Sequence, residues 1–161
     1  MTDYTNEYFR TMKDIGTGYE AARTIRKAER DALMKANDWE GVKAWNEREE
    51  QFPFPFSKGY TSAYRAWHNS TANESSVNGE SILEVSDLPW DNEAHDFITC
   101  LREAGVKEFA VTDQGTALMR VIHILADEEG CKLTGLCKVT RSEKRWGEEG
   151  TEEYEGILMS L

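Results

Sequence analysis

Trp146, Glu148, Glu149, Glu152, Glu153, Tyr154 and Glu155 fall close together near the C-terminal end of the chain. A row of carboxylates on a hairpin can imitate the phosphates that a basic protein groove holds, and Trp and Tyr are the side chains that most often anchor interfaces. The same residues read equally as a solvated turn whose Trp folds back onto a sheet. A second group, Arg23, Arg26, Lys27 and Arg30, has the spacing of one helix side. Four cations so placed could track a nucleic-acid backbone, each contact releasing counterions, or could simply form a charged outer face. Third, Val111-Thr112-Asp113-Gln114-Gly115-Thr116 leaves a strand pattern and opens a helix pattern. Open α/β sheets bind ligands at that position, although Asp113 there would cap the helix and repel phosphate.

The remaining reactive side chains form no constellation. His95 and Cys100 lie five residues apart, about 140° around a helix, which argues against a Cys/His dyad. His68, beside Trp67, and His123, next to an apolar helix stripe, read as structural or surface residues, since general-base work needs a partner within hydrogen-bond reach that spacing alone does not show. Cys100, Cys131 and Cys137 lack paired zinc-site spacing and read as reduced, mostly buried thiols. Walker, H-E-x-x-H, G-x-S-x-G and EF-hand patterns do not occur. The expectation is a non-enzymatic protein with no catalytic residue, no metal and no cofactor.

The elements that must position these groups follow from length and patterning. At 161 residues with 39% apolar and 30% charged side chains, the chain suits one domain with a helical N-terminal extension. There is neither a signal-peptide pattern nor a long apolar run, which predicts a cytoplasmic protein with no membrane contact. The net charge of -11 is uneven: residues 76–161 carry 8 Lys and Arg against 18 Asp and Glu. That field disfavours nucleic acid at this half and favours a basic partner.

Gly16 and Gly18 predict a break between a short amphipathic helix, roughly 6–15, and a longer one over 17–37. The inner face of the longer helix would be Ala21, Ala22, Ile25, Ala28, Ala32, Leu33 and Ala36. Asp38 is placed to cap another helix ended by Pro53 and Pro55, with a shorter helix across 60–67. Residues 69–81 read as a polar linker between a helical region, 1–68, and a βαβαββ domain, 82–161. In that domain a strand at 82–85 precedes a helix capped by Asp91 and stopped by Gly105. A strand at 106–112 precedes a helix capped by Asp113, whose inner face is Ala117, Leu118, Val121, Ile122 and Leu125. Two further strands, near 131–141 and 154–161, are joined by the acidic loop. The fold class is therefore α/β (α+β), a mixed sheet with two helices on one face. Strands joined by helices should be parallel neighbours, and the last hairpin antiparallel.

At Thr112-Asp113-Gln114-Gly115-Thr116-Ala117-Leu118-Met119 and at Gly135-Leu136-Cys137-Lys138-Val139-Thr140-Arg141-Ser142-Glu143-Lys144-Arg145-Trp146-Gly147 the chain resembles a family of small proteins from conjugative elements and phages of gut Firmicutes. The likeness spans roughly 93–161 and brings no active site with it. Such elements carry small acidic proteins that disarm host defences. The resemblance thus implies an anti-CRISPR or antirestriction inhibitor in a bacterial cytosol, its acidic hairpin occupying the nucleic-acid groove of a CRISPR effector or restriction enzyme. The alternatives are a nucleic-acid accessory factor of element transfer, working through the Arg23 stripe, and a small-ligand sensor or enzyme using the Asp113 turn.

Overall fold

The structure, a computed structural model, describes residues 6–145 and 147–161, apart from the side chains of Asn6, Glu143, Lys144, Arg145 and Glu148. The chain forms two compact units, one of Arg10–Pro55 and one that takes in residues 6–9 together with Phe56–Leu161.

The smaller unit is a helical hairpin. Helix α1 runs unbroken over Asn6–Lys35 and α2 over Trp39–Glu49. Gly16 and Gly18 therefore do not interrupt α1: each lowers helix propensity by about 1 kcal/mol relative to Ala, which the rest of a 30-residue helix outweighs. Asp38 caps α2 as expected, its Oδ1 accepting the Gly41 N–H at 2.9 Å.

The face of α1 that meets α2 is the arginine side. Arg26 forks onto Glu49 at 2.8 and 2.9 Å, and its carbonyl accepts the Trp45 Nε1–H at 2.9 Å. Its guanidinium lies 4.8 Å from the Phe52 ring centre, and that of Arg30 lies 5.8 Å from the Trp45 ring centre. Of the face expected inside, the alanines and Ile25, 75% exposed, are open, and Leu33 is half-buried against Gly41 of α2. Alanine offers little area to bury, whereas arginine stems and planar heads cover aromatic rings well.

In the larger unit, α3 spans Lys58–Ala72 and is followed by β1 (Ser76–Val77), β2 (Glu80–Ser81) and β3 (Leu83–Val85). Helix α4 (Ala94–Glu103), β4 (Glu108–Val111), α5 (Leu118–Asp127), β5 (Lys132–Arg145) and β6 (Glu148–Ser160) complete it. Residues 69–81, read from the sequence as a linker, hold the end of α3 and a two-stranded hairpin. Its turn, Asn78-Gly79, has positive φ at both residues, 52° and 80°, the geometry that matches strand twist in a two-residue hairpin.

The strands order as β2-β1-β5-β6-β4-β3. β3 and β4 are parallel, as expected of strands joined by a helix. β5 runs in the same sense as β4 but is not its neighbour, because β6 lies between them and is antiparallel to both. Leu83, Phe109, Val111 and Met159 share one sheet face and are buried, with Phe97 of α4 meeting Phe109 edge to face. α3 crosses α4 so closely that a Cβ on Gly59 would sit 2.5 Å from the Glu93 carbonyl oxygen. The other sheet face carries a smaller cluster of Ile82, Ala110 and Val139, with Val77, Cys137 and Leu158 against it.

Candidate functional site

The acid-rich segment is a pair of strands. β5 and β6 pair continuously from Lys132↔Ser160 to Arg145↔Glu148, interrupted once by an irregularity between Leu133 and Gly135. β4 covers only Ile157–Ser160 of β6. The distal part of the ribbon therefore extends past the rest of the sheet, and β1 touches it at one pair, Ser76↔Thr140.

What aims this ribbon is a buried charge. In a flat sheet β5 and β3 stand three strand spacings apart, roughly 14 Å. Yet Arg141 Nε of β5 donates to both carboxylate oxygens of Glu84 on β3 at 2.9 Å, and Arg141 Nη2 also contacts Oε1. The ribbon must therefore curl back over the second sheet face. Glu84 is 3% exposed and also accepts from Thr112 Oγ1 at 2.6 Å and Ser75 Oγ at 2.7 Å. Burial pushes its carboxyl pKa up, but the hydrogen bonds from Arg141, Thr112 and Ser75 outweigh that and hold it below the usual carboxylate range. The hydrogen bond to Glu84 likewise raises Arg141. The Tyr154 ring lies 3.8 Å from the Arg141 guanidinium carbon, and its hydroxyl donates to Glu152 at 2.7 Å. Among the described residues every buried side-chain nitrogen and oxygen has a partner.

Cross-strand pairing puts Glu149, Thr151, Glu153 and Glu155 on one face of β6, all exposed, and Glu152 and Tyr154 on the other. Glu153 and Glu155 line an open cleft of about 1060 Å³ together with Asp113, Gln114, Lys138 and Leu136. Leu136 is 86% exposed. Lys138 Nζ lies 3.8 Å from Glu153, so one ammonium stands among three carboxylates. Such a cleft attracts cations, and its exposed leucine offers an apolar footing beside the charge.

Asp113 holds this wall in place without capping a helix. Its Oδ1 accepts the Gly115 N–H at 2.6 Å and its Oδ2 the Leu88 N–H at 2.8 Å, tying the β4–α5 loop to the β3–α4 loop. α5 consequently begins at Leu118, four residues later than expected, and of its expected inner face Val121, Ile122 and Leu125 are buried while Ala117 is exposed. Asp91 begins a short 3-10 turn before α4 and pairs with Arg120.

The scan against family models matches residues 62–161 to the domain of unknown function DUF7698. The chain belongs to the DUF7698 family. The matched DUF7698 region contains every strand, the cleft and the Glu84–Arg141 pair, while Arg10–Pro55 lies outside it. Comparison with curated proteins and with solved structures returns no match.

Of the sequence-predicted partner residues, the structure brings Glu153 and Glu155 into the cleft and places Glu149 farther along the same strand face. Glu152 and Tyr154 turn to the Arg141 side. Trp146 and the Glu148 side chain lie outside the described residues. In the predicted cationic stripe, Arg26 is committed to Glu49, Arg30 lies over Trp45, Arg23 stands 3.9 Å from Glu20, and Lys27 is exposed. His95 meets Glu129, His123 meets Asp127 and His68 stacks on Tyr64, each away from the cleft lining. Burial pushes the Cys100 thiol up to about 12, far from a reactive thiolate. Glu84 and Arg141 went unnoticed in the sequence, although a Glu between Leu83 and Val85 in an apolar strand is itself a signal of a buried ion pair.

Proposed function

We propose that the chain is a protein-binding module whose acidic cleft takes a basic segment of a partner. The observation that carries this reading is the cleft lining, in which Asp113, Glu153 and Glu155 surround a single Lys138 beside exposed Leu136. Carboxylates two residues apart on a strand are separated by about 6.7 Å, roughly twice the 3.4 Å axial step of phosphates along one nucleic-acid strand. A protein groove built for a phosphate backbone would meet on this face one negative charge for every second phosphate step. The narrower form of the proposal follows from that spacing and from the resemblance to mobile-element proteins: an anti-defence inhibitor acting on the nucleic-acid groove of a CRISPR effector or restriction enzyme.

The test is affinity capture from a nuclease-treated bacterial lysate at two salt concentrations, comparing the native chain with Glu149→Lys, Glu153→Lys, Glu155→Lys combined. A groove-bearing nuclease subunit retained by the native chain at low salt and absent with the variant supports the proposal. The same proteins retained by both would refute it.

A second reading, a small cationic ligand in the same cleft, is favoured by the presence of Asp113 and Gln114 in its wall. It predicts that a metabolite amine raises the melting temperature of the native chain and leaves that of the triple variant unchanged.

A further inference from the structure

β6 is an internal strand of the sheet for part of its length and an edge strand for the rest. β4 pairs with it from Ile157 to Ser160 and ends at Val111, after which Thr112 still bonds to Val85 and the chain turns away at Asp113. Beyond that point Glu149–Gly156 pair with β5 on one side. In line with β4, next to this stretch, the sheet has a strand position that no strand of the described residues fills. Soluble proteins blunt such edges with charge, because a bare edge recruits strands indiscriminately. Here the charge has one sign and falls mainly on one face: Glu149, Glu153 and Glu155 project to the cleft side, with Thr151 between them, while Glu152 lies on the other face.

We infer that this edge accepts an extended segment of a partner protein by strand addition, and that the segment carries Lys or Arg at every second residue. Main-chain bonds to β6 supply part of the affinity, as in other strand-addition complexes, and the alternating side chains supply selectivity. A strand added beside β6 places one set of alternate side chains opposite Glu155, Glu153, Thr151 and Glu149, and opposite charges facing each other across strands attract. The other set meets the face of Glu152 and Tyr154, which Arg141 already occupies. A segment with its cations clustered at one end cannot match this period. The inference rests on the acidic-cleft reading and adds to it the partner's backbone conformation and charge period.

The experiment uses the full chain and three fluorescent peptides, read by anisotropy at low salt. The peptides are (Lys-Thr)4, the same sequence with every backbone nitrogen methylated, and Lys4Thr4 of equal composition. Amide hydrogen exchange of the protein is followed with and without (Lys-Thr)4. Strand addition predicts that (Lys-Thr)4 binds at least about tenfold tighter than either control, since several backbone bonds are lost together on methylation. It also predicts slowed exchange within Glu149–Glu155. Equal binding of all three peptides, abolished by the Glu149→Lys, Glu153→Lys, Glu155→Lys variant, would overturn strand addition and leave the acidic-cleft reading standing. If none of the three peptides bound, both readings would be overturned.

Discussion

Replacing Arg141 by Met removes the cation from a carboxylate that is 3% exposed, keeping most of the side-chain volume. Glu84 is then left with the hydroxyl donors Thr112 and Ser75. Breaking a buried pair from one side costs about 3–5 kcal/mol. The orphaned carboxyl has an escape, which is to take up a proton. Relative to an ordinary Glu near 4.3, staying neutral at pH 7 costs about 3.7 kcal/mol, and at pH 5 only about 1 kcal/mol. The penalty therefore lies near 3–4 kcal/mol at pH 7 and shrinks on acidification. The native chain has the opposite slope. Its Glu84 is depressed, so that group's stabilisation is present above the unfolded value and is lost as pH falls through the folded one. Urea titrations followed by Trp fluorescence at pH 7 and pH 5 read the variant's slope, and titrations of the native chain carried below pH 4 read the native one. Adding Glu84→Gln to Arg141→Met should recover much of the loss at pH 7. A loss below about 1 kcal/mol at pH 7, or one of equal size at the two pH values, would refute a buried Glu84–Arg141 pair as the element that holds the ribbon.

Gly59→Ala should lower stability by roughly 1–3 kcal/mol, because its Cβ would meet the α4 backbone and not a flexible side-chain end; thermal melts check it. Gly79→Val, at φ 80°, should cost more than about 1 kcal/mol in the same assay, whereas Gly16→Ala, with open space around its Cβ position and a helical backbone, should be neutral or stabilising. Trp45→Ala should lower the helical content of Arg10–Pro55, measured by far-UV circular dichroism, since the indole both donates to the Arg26 carbonyl and carries Arg30 on its face.

The α/β class was legible because the apolar periods are clean where one face is buried. Val121, Ile122 and Leu125 on α5 are core residues in both sequence pattern and structure. Strand order was not legible, because alternation gives a strand its faces and says nothing of its neighbours. Only the three-dimensional register places β6 between β4 and β5. The true length of β5 and β6 escaped for a related reason. Once both faces are polar, as over 142–145 and 148–153, the period of two leaves no hydrophobic trace. The Asn78-Gly79 hairpin lies inside the stretch read as a linker, because strands of two residues on either side carry too little alternation to announce it. The late start of α5 depends on the Leu88 N–H capturing Asp113 from another loop, a contact of high sequence separation. In the helical hairpin, the inner face of α1 was set by the rings of Trp45 and Phe52, which a pattern within α1 alone does not contain. The carboxylates of the cleft were legible from clustering of one charge sign; the Glu84–Arg141 pair that aims them was not.

The most direct test is a backbone-amide NMR titration of the full chain with hexalysine at low salt. The chain contains its own control, the exposed carboxylates Glu47 and Glu50 outside the cleft. Specific acidic recognition predicts saturable shift changes at Asp113, Gln114, Glu153 and Glu155, small ones at Glu47 and Glu50, and loss of the former with the triple Lys variant. Changes of equal size at both acidic patches, or none at the cleft, would contradict it.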